Sequence, residues 1–262
     1  MPHNVHAGTA AEVAALLASA PCDEVDALCE RYADDPRAMV QRALRSAARR
    51  AERERAERSR VLDMYALARE LGGPGLVLGV DEVGRGAIAG PLCVAAVALP
   101  DEPVLWGIND SKQLTPARRE ALAARIAQVA LAIGLYFVPA ERIDEQGMAA
   151  SLREAMAGAV EAAGVEADAV LIDGNPVHAH PREVTIVHGD ARVSCIAAAS
   201  IVAKVARDEL MVSLSDEYPG YHWDECKGYA SAAHVAQIRA EGLTPLHRKT
   251  FCRNFLPEPT LF

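Results

Sequence analysis

Residues 79–91, Gly-Val-Asp-Glu-Val-Gly-Arg-Gly-Ala-Ile-Ala-Gly-Pro, are the stretch that decides the fold. The apolar runs at 76–78 and 92–99 have the length of strands, and the glycine- and proline-containing connection between them predicts a hairpin within a sheet. Asp81 and Glu82 are then adjacent carboxylates at the end of a buried strand. They repel each other there and resist desolvation unless a cation neutralises them. The stretch therefore predicts a metal site.

Arg85 follows the two carboxylates and lies between Gly84 and Gly86. Because glycine has no side chain, the backbone on both sides of this arginine is open to close approach by a substrate. An arginine beside open backbone, next to an expected cation, favours a metal-dependent phosphodiesterase centre. The spacing excludes a dinucleotide-binding loop, since Gly90 comes one residue too late for that pattern. A loop that binds a nucleotide triphosphate is also excluded, because the lysine that it requires does not follow.

The composition restricts how the chain could bind nucleic acid. Its 262 residues carry a formal net charge of −9, which is unusual for binding by general electrostatics. Contact with nucleic acid would therefore need local basic elements and metal ions. The sequence contains no apolar run long enough to span a membrane and does not begin like a secretory signal. The six cysteines form no CxxC pair, so we expect reduced thiols and a cytoplasmic location.

Residues 1–72 are expected to form a helical, arginine-rich extension, separate from a sheet domain at 73–262. Residues 36–70 hold ten arginines against five acidic residues. The charges of residues 49–58 alternate in sign at spacings that favour i,i+4 pairs on an exposed helix. Two interpretations stay open: a solvated helix stabilised by ion pairs, or an arm that lays arginines along a phosphate backbone.

After the hairpin, predicted helices and strands alternate. Thr115 as N-cap with Pro116 in the first turn predicts a helix to about residue 129. Further strands are predicted at 131–138, 169–172 and 183–187, and further helices at 141–164, 192–214 and 231–241. This order predicts an α/β fold in which a mixed sheet is flanked by helices, with the helical extension before it and C-terminal helices after it.

Carboxylates follow three of the predicted strands. Asp81 with Glu82 ends the first strand, and Asp173 and Asp190 follow two later strands. Side chains from separate strand ends converge in α/β sheets, and an all-oxygen cluster suits Mg²⁺ or Mn²⁺. Two such ions about 3.5–4 Å apart would activate water and stabilise the leaving oxygen of a phosphodiester. On a regular strand Asp81 and Glu82 face opposite ways, so both reach the site only if the strand bends.

The motifs of the sheet domain resemble, in order, those of bacterial ribonuclease HII, over about residues 76–251. The arginine-rich extension is similar to that of longer bacterial members. The matching segments are Gly79-Val-Asp-Glu-Val-Gly-Arg-Gly86, Asn109-Asp-Ser-Lys112, Leu171-Ile-Asp-Gly-Asn175, Gly189-Asp190, Ala198-Ala-Ser-Ile-Val-Ala-Lys-Val-Ala-Arg-Asp208, Lys227-Gly-Tyr229 and Thr244-Pro-Leu-His-Arg-Lys-Thr-Phe251.

The resemblance implies a ribonuclease H-like fold and an endoribonuclease. It implies that Gly84, Arg85 and Gly86 read the ribose 2′-hydroxyl at an RNA–DNA junction, and that Tyr229 stacks on the sugar of the following deoxynucleotide. The implied reaction cuts on the 5′ side of ribonucleotides, in hybrids or embedded singly in duplex DNA, and leaves a 3′-hydroxyl and a 5′-phosphate. The implied catalytic and metal-binding carboxylates are Asp81, Glu82, Asp173 and Asp190.

Four further residues are candidate substrate contacts, and three of them have a plain structural alternative. Lys112 either holds a substrate phosphate or is an exposed lysine. Ser200 and Lys204 share a helix face, but Lys204 can equally pair with Asp208 one turn on. Arg248 belongs to a basic cluster that either contacts phosphate or ties the tail of the chain to the domain.

The last residues, 258–262, resemble the Gln-x-x-Leu-Phe pattern by which bacterial replication proteins bind the sliding clamp, with Glu258 in place of glutamine. Either Leu261 and Phe262 anchor in a groove of the clamp, or the tail has no partner. We otherwise expect a monomer that binds RNA–DNA hybrids and ribonucleotide-containing duplex DNA. Two alternative functions stay open: another ribonuclease H-like nuclease such as a junction resolvase, and a non-catalytic nucleic-acid-binding adaptor.

Overall fold

The computed structural model describes residues 8–256. The chain forms two compact units that divide between Leu62 and Asp63. The tail residues Leu261 and Phe262, for which a clamp contact is predicted, lie outside the described residues.

The first unit is a group of helices around its own apolar cluster. Its helices are α1 (Ala10–Ser19), α2 (Val25–Arg31) and the first part of α3 (Ala38–Gly72). A capping box starts α1: the Thr9 side chain accepts from the Glu12 N–H, and the Glu12 carboxylate accepts from the Thr9 N–H. The predicted N-terminal helices are confirmed. The buried cluster includes Val13, Leu17, Val25, Tyr32, Val40 and Leu44.

The second unit is built on a mixed sheet with the strand order β3-β2-β1-β4-β5. Strands β1 and β2 pair antiparallel, as do β2 and β3, whereas β4 is parallel to both β1 and β5. The predicted hairpin around residues 79–91 and the predicted mixed sheet are therefore confirmed. The strands are β1 (Val77–Val83), β2 (Leu92–Ala98), β3 (Ala132–Val138), β4 (Ala169–Asp173) and β5 (Glu183–Ile186).

Helices flank this sheet largely where they are predicted. The Thr115 side chain accepts from the Arg118 N–H at the start of α4. The segment predicted at 141–164 is a helix pair, since Gly147 breaks α5 with a φ of 80° and a ψ of 162°. The helix predicted at 192–214 begins at Ser194 and extends to Glu217. The helices are α4 (Pro116–Val129), α5 (Ala140–Ala162), α6 (Ser194–Glu217), α7 (Trp223–Cys226), α8 (Ala232–Glu241) and α9 (Lys249–Cys252).

The sheet is covered on both faces, by α5 on one and by α6 on the other. Every residue of β2 is buried, as expected for a strand with helices on both sides. Helix α6 approaches β1 closely at Gly79, where a Cβ atom would collide with the Cys195 backbone. The alanines at 197–199 are fully buried and permit this approach, which brings Ser200 next to β1.

The C-terminal segments support the connection between β1 and β2. The Ile88 N–H donates to the Gly228 carbonyl at 2.9 Å, and the Gly90 N–H donates to the Leu246 carbonyl at 2.9 Å. Ala89 also forms an isolated β-bridge with His247. The helices at residues 8–256 include none with the length and apolarity needed to cross a membrane.

Candidate active site

The four predicted carboxylates lie toward one edge of the sheet. Asp81 and Glu82 lie within β1 rather than at its end, because the pairing with β2 continues to Val83. Asp173 is the last residue of the parallel neighbour β4. Asp190 does not end a strand either, since it lies in a 3₁₀ turn, Gly189–Ala191, beyond β5. This turn is fixed to β4, because the Gly189 N–H donates to Asp173 Oδ1 at 2.6 Å.

Asp81 is the most buried of the four, with 5 % of its surface exposed. Its Oδ1 accepts from the Glu82 N–H at 2.8 Å. Burial raises the pKa of Asp81 well above its usual range; the charges of Glu82 and Asp173 raise it further, and a hydrogen bond with Ser200 opposes them. Asp81 is therefore costly to ionise without a nearby cation.

The other carboxylates are affected by the same charges. Burial raises the pKa of Glu82, and Asp173 raises it further, whereas Arg85 opposes both. Burial also raises the pKa of Asp190, again with a contribution from Asp173. The four acids are thus close enough to interact, as the sequence predicts.

The chemistry of this donor set fits a hard divalent cation, because all its atoms are carboxylate oxygens. Within the part of the chain that the structure describes, however, no group of three or more His, Cys, Asp or Glu side chains is arranged to hold one ion. Repulsion between the four carboxylates, which carry like charges, favours a wider spacing than the ligands of one ion would have. The donor set fits the cation by chemistry, and the assignment of each acid as a ligand stays a prediction.

Gly84, Arg85 and Gly86, here called the GRG turn, follow the acidic pair. Gly84 has a φ of +91°, and a Cβ atom there would collide with the Arg207 side chain, so the fold itself requires this glycine. Gly86 differs, since a Cβ atom there would meet nothing within 4 Å. The Arg85 side chain is 61 % exposed and 3.5 Å from Glu82. Gly86 and Arg85 are therefore the open part of the turn.

A cavity of about 430 Å³ brings most of the predicted site residues together. It joins the acidic pair of β1 to the GRG turn, and both Asp81 and Glu82 line it although the pairing of β1 with β2 continues without a break to Val83. Asp173, Asp190 and Arg248 are not among its lining residues. The lining residues are Asp81, Glu82, Val83, Gly84, Arg85, Gly86, Ser111, Lys112, Ser200, Lys204 and Tyr229.

Three of the further candidates take different positions around this cavity. The Ser200 hydroxyl is 2.9 Å from that of Ser111 and is buried, and Ser200 lowers the pKa of Asp81. Lys204 makes its predicted alternative contact, an ion pair of 2.7 Å with Asp208. Lys112 is largely exposed, with its Nζ 4.0 Å from Asp190, and so is free to reach a phosphate.

Arg248 corrects the sequence prediction of a substrate contact. Its side chain is fully buried. Its Nε and Nη2 atoms donate to the Gly90 carbonyl at 3.2 and 3.0 Å, and its Nη1 donates to the Arg85 carbonyl at 3.0 Å. A guanidinium with its donors occupied by buried backbone cannot reach a phosphate, so Arg248 is a structural support of the GRG turn.

Arg207 is a second buried support that the sequence reasoning missed. It donates to the carbonyls of Pro91, Lys227 and Ala89 at 2.9, 2.8 and 3.1 Å. Its guanidinium carbon also lies 5.5 Å from the centre of the Tyr229 ring, which is a cation–π distance. The sequence feature that could have identified Arg207 as a buried support is its position as an arginine within an alanine-rich helix. Burial lowers the pKa of Arg207.

Solved structures with a similar fold define the class of protein. The structure of ribonuclease H2 from Pyrococcus horikoshii matches with a TM-score of 0.59 and 25% identity, over 69% of this chain and 96% of that one. The ribonuclease HII of Archaeoglobus fulgidus, solved in a complex with PCNA, matches with a TM-score of 0.57 and 27% identity, over 66% of this chain and 93% of that one. The fold is that of ribonuclease H-like proteins.

Sequence comparison narrows the class to a family. The ribonuclease HII family model matches residues 78–254, and the model of the ribonuclease HII N-terminal domain matches residues 9–72. Ribonuclease HII of Geobacillus kaustophilus is 39% identical over 245 residues, which is 93% of this chain and 94% of the relative. The chain belongs to the ribonuclease HII family. It is a ribonuclease H, an endoribonuclease that acts on RNA–DNA hybrids.

Proposed function

We propose that this ribonuclease H cuts on the 5′ side of ribonucleotides, both in hybrids and where a single ribonucleotide is embedded in duplex DNA, and leaves a 3′-hydroxyl and a 5′-phosphate. One observation carries the proposal: the same cavity contains the acidic pair of β1, the GRG turn and Tyr229. Hydrolysis and recognition of one sugar can therefore operate on neighbouring atoms of the same strand.

The selectivity would come from the open part of this cavity. Distinguishing RNA from DNA at one position means recognising the 2′-hydroxyl. The free space around Gly86 lets a sugar approach the backbone, and the exposed Arg85 lies beside it. Tyr229 is 39 % exposed, so its ring is available to stack on the next sugar and test its shape.

We propose that Mg²⁺ or Mn²⁺ binds at the four carboxylates, Asp81, Glu82, Asp173 and Asp190. A pair of such ions supplies an activated water and stabilises the leaving oxygen. The chain orients Asp81 through the hydrogen bond that its Oδ1 accepts from the Glu82 N–H. A cation would also offset the repulsion that raises the pKa of these acids. The exposed Lys112 extends the positive charge toward a substrate phosphate.

The decisive assay uses a duplex with one embedded ribonucleotide, with Mg²⁺ or with a chelator. We expect the wild type to cut once, 5′ of the ribonucleotide, only with the metal. Asp81→Asn should lower kcat by about a hundredfold or more, since even residues that only support metal ligands contribute about 10–100-fold. The matched control is Asp216→Asn, an exposed acid on α6. Cleavage of an all-DNA duplex, or an unaltered rate in Asp81→Asn, would refute the proposal.

We also propose that Leu261 and Phe262 anchor the chain to a sliding clamp; the alternative is a tail without a partner. The support is the clamp-binding pattern in the sequence, together with the archaeal ribonuclease HII that was solved with PCNA. Removing the two residues should abolish retention on immobilised clamp. Retention equal to that of the full chain would contradict the proposal.

The domain organisation stays a proposal as well. We place the extension at 1–72 and the catalytic domain at 73–262, and the match to the N-terminal domain model ends at residue 72. The compact units divide earlier along α3, after Leu62. The cytoplasmic location and the monomeric state stay predictions. Membership of an enzyme family argues against a non-catalytic adaptor, and ribose recognition by the GRG turn and Tyr229 argues against a junction resolvase.

A further inference from the structure

Two histidines and a tryptophan form a buried hydrogen-bonded relay behind Tyr229, and nothing in the proposed reaction uses it. His234 and Trp223 are 0 % exposed, and His247 is 1 % exposed. The Nε2 atoms of the two histidines are 3.0 Å apart. Two ring nitrogens at this distance attract each other only if one carries a proton and the other accepts it.

The outer partners of the relay determine where its protons lie. The Thr244 N–H donates to His247 Nδ1 at 2.9 Å, so the proton of neutral His247 is on Nε2. At the other end, His234 Nδ1 is 2.9 Å from the Tyr229 carbonyl oxygen, which can only accept. His234 therefore carries its proton on Nδ1, and its Nε2 accepts from His247 and from Trp223 Nε1, the latter at 3.1 Å.

Both histidines must be neutral for this pattern to hold. Burial lowers the pKa of His234. Burial also lowers the pKa of His247 to about 4, with a further contribution from His234. The relay is thus intact at neutral pH. It also leaves no free nitrogen for a metal, because each accepting nitrogen already has donors.

The relay joins two segments that both contact Ile88 and Ala89, just after the GRG turn, and Arg248, next to His247, donates to the Arg85 carbonyl at 3.0 Å. Its first end is in the turn around Tyr229, where the Gly228 carbonyl accepts from the Ile88 N–H at 2.9 Å. Its other end is at His247, which forms the β-bridge with Ala89. The GRG turn and Tyr229, the two parts of the candidate sugar-recognition site, are therefore held by one buried network.

We propose that His234 is a positioning residue for sugar discrimination, and that it holds Tyr229 at a fixed distance from the GRG turn through its Nδ1–H bond to the Tyr229 carbonyl. This inference rests on the proposed function. The Ser231 N–H donates to the same carbonyl from within the same turn, whereas His234 links that carbonyl to the remote His247. Loss of the link lets Tyr229 shift, and the preference for a deoxynucleotide after the ribonucleotide weakens.

Two substitutions separate the bond to Tyr229 from the rest of the relay. The amide of asparagine reaches the place of a histidine Nδ1, and that of glutamine reaches the place of Nε2. His234→Asn can therefore keep the donor to Tyr229, while His234→Gln keeps only the acceptor for His247 and Trp223. The measured quantity is kcat/KM on a duplex with one ribonucleotide, divided by kcat/KM on a hybrid with an all-RNA strand, in which each ribonucleotide is followed by another ribonucleotide.

We expect His234→Gln to lower this ratio about fivefold, as one lost hydrogen bond would, and His234→Asn to keep most of it. Tyr229→Ala should lower the ratio at least as far. If His234 acts through Tyr229, adding His234→Gln to Tyr229→Ala changes the ratio no further. The matched control is Tyr221→Phe, which removes a hydrogen bond of 2.9 Å to the Gly242 carbonyl in the same buried cluster and should leave the ratio unchanged.

Three results would overturn the inference. The first is an unchanged ratio in His234→Gln while Tyr229→Ala lowers it, and the second is a further drop in the double variant. The third is the finding of the opposite tautomers by ¹⁵N NMR of the wild type, a measurement that depends neither on activity nor on whether a variant folds. The expected spectrum shows the proton of His234 on Nδ1 and that of His247 on Nε2. A wild type that cuts neither duplex would instead refute the proposed function, and the NMR spectrum would still decide the relay.

Discussion

Arginines serve different purposes in the two compact units. Along α3, several arginines are exposed and make charge pairs in solvent, such as Arg58 with Glu54 at 2.8 Å. Beside the GRG turn, Arg207 and Arg248 are fully buried and donate to backbone carbonyls rather than to carboxylates. Other exposed arginines of α3 are Arg42, Arg45, Arg49 and Arg53.

The difference shows that burial, more than residue type, decides what an arginine contributes. An exposed pair adds about 0–1 kcal/mol, because water competes for both charges. A buried guanidinium instead satisfies several backbone carbonyls that would otherwise lose their hydrogen bonds to water. Burial, with a contribution from Arg207, lowers the pKa of Arg248 to about 10, which still leaves it charged at neutral pH.

The largest effect should come from Arg207→Lys. Lysine keeps the charge but has no planar fork, so it cannot serve the three carbonyls that Arg207 serves. We expect a loss of about 3 kcal/mol in the free energy of unfolding, measured by urea denaturation, because buried carbonyls lose charge-assisted bonds. A loss below about 0.5 kcal/mol, the range of ordinary surface substitutions, would show that the buried arginine is not needed for stability.

A comparison of two glycines separates support of the turn from recognition. Gly84→Ala should cost about 2 kcal/mol of stability, since its φ of +91° strains any other residue and its Cβ meets Arg207. Gly86→Ala should leave the unfolding free energy nearly unchanged but lower kcat/KM on the single-ribonucleotide duplex, because the new methyl group occupies the open space. Equal effects of the two substitutions on stability would contradict this division.

The buried histidines should give stability a pH dependence. The pKa values of His234 and His247 lie below the ordinary 6.5, that of His247 at about 4. Between these pH values the unfolded chain therefore binds more protons than the folded chain. Stability from this source therefore falls as pH drops from about 6.5 to about 4.

The raised pKa values of Asp81, Glu82 and Asp190 act in the opposite direction, since the folded state binds their protons first. The difference between wild type and His247→Gln isolates the histidine contribution. Thermal unfolding across this pH range should show a shallower fall for His247→Gln, and parallel curves would count against a neutral buried relay.

The smallest effect should come from Arg49→Lys, the same chemical change as Arg207→Lys but on exposed α3. We expect a change within about 0.5 kcal/mol in the free energy of unfolding.

The two interpretations of the N-terminal extension can be separated by removing residues 1–72. This deletion lowers the salt dependence of duplex binding if the arginines of the extension contact phosphates. An unchanged salt dependence would leave the helix with a structural role.

Local patterns predicted much of this molecule. The hairpin at residues 79–91, the cap at Thr115 and the alternation of later helices and strands follow from turn residues, capping and periodicity, which act over a few positions. The gathering of Asp81, Asp173 and Asp190 was also predictable, because the parallel strands β1, β4 and β5 run toward the same edge, although only Asp173 is the last residue of its strand.

Side-chain roles that depend on remote partners were not predictable in this way. Arg248 carries the same charge in either interpretation, and only its burial against the Gly90 carbonyl, 158 positions away in the chain, makes it a support rather than a substrate contact. Lys204 similarly had two possible partners, and the structure shows the ion pair with Asp208.

The sequence by itself therefore determined the order of the elements, the acidic character of the site and the glycines of the GRG turn, since each rests on short-range geometry or on composition. The tertiary structure alone decided which glycine is open, which arginines are buried and which tautomers His234 and His247 adopt. The physical reason is that burial and hydrogen-bond partners come from residues far apart in the chain, and these set the charge, the proton positions and the accessibility of each side chain.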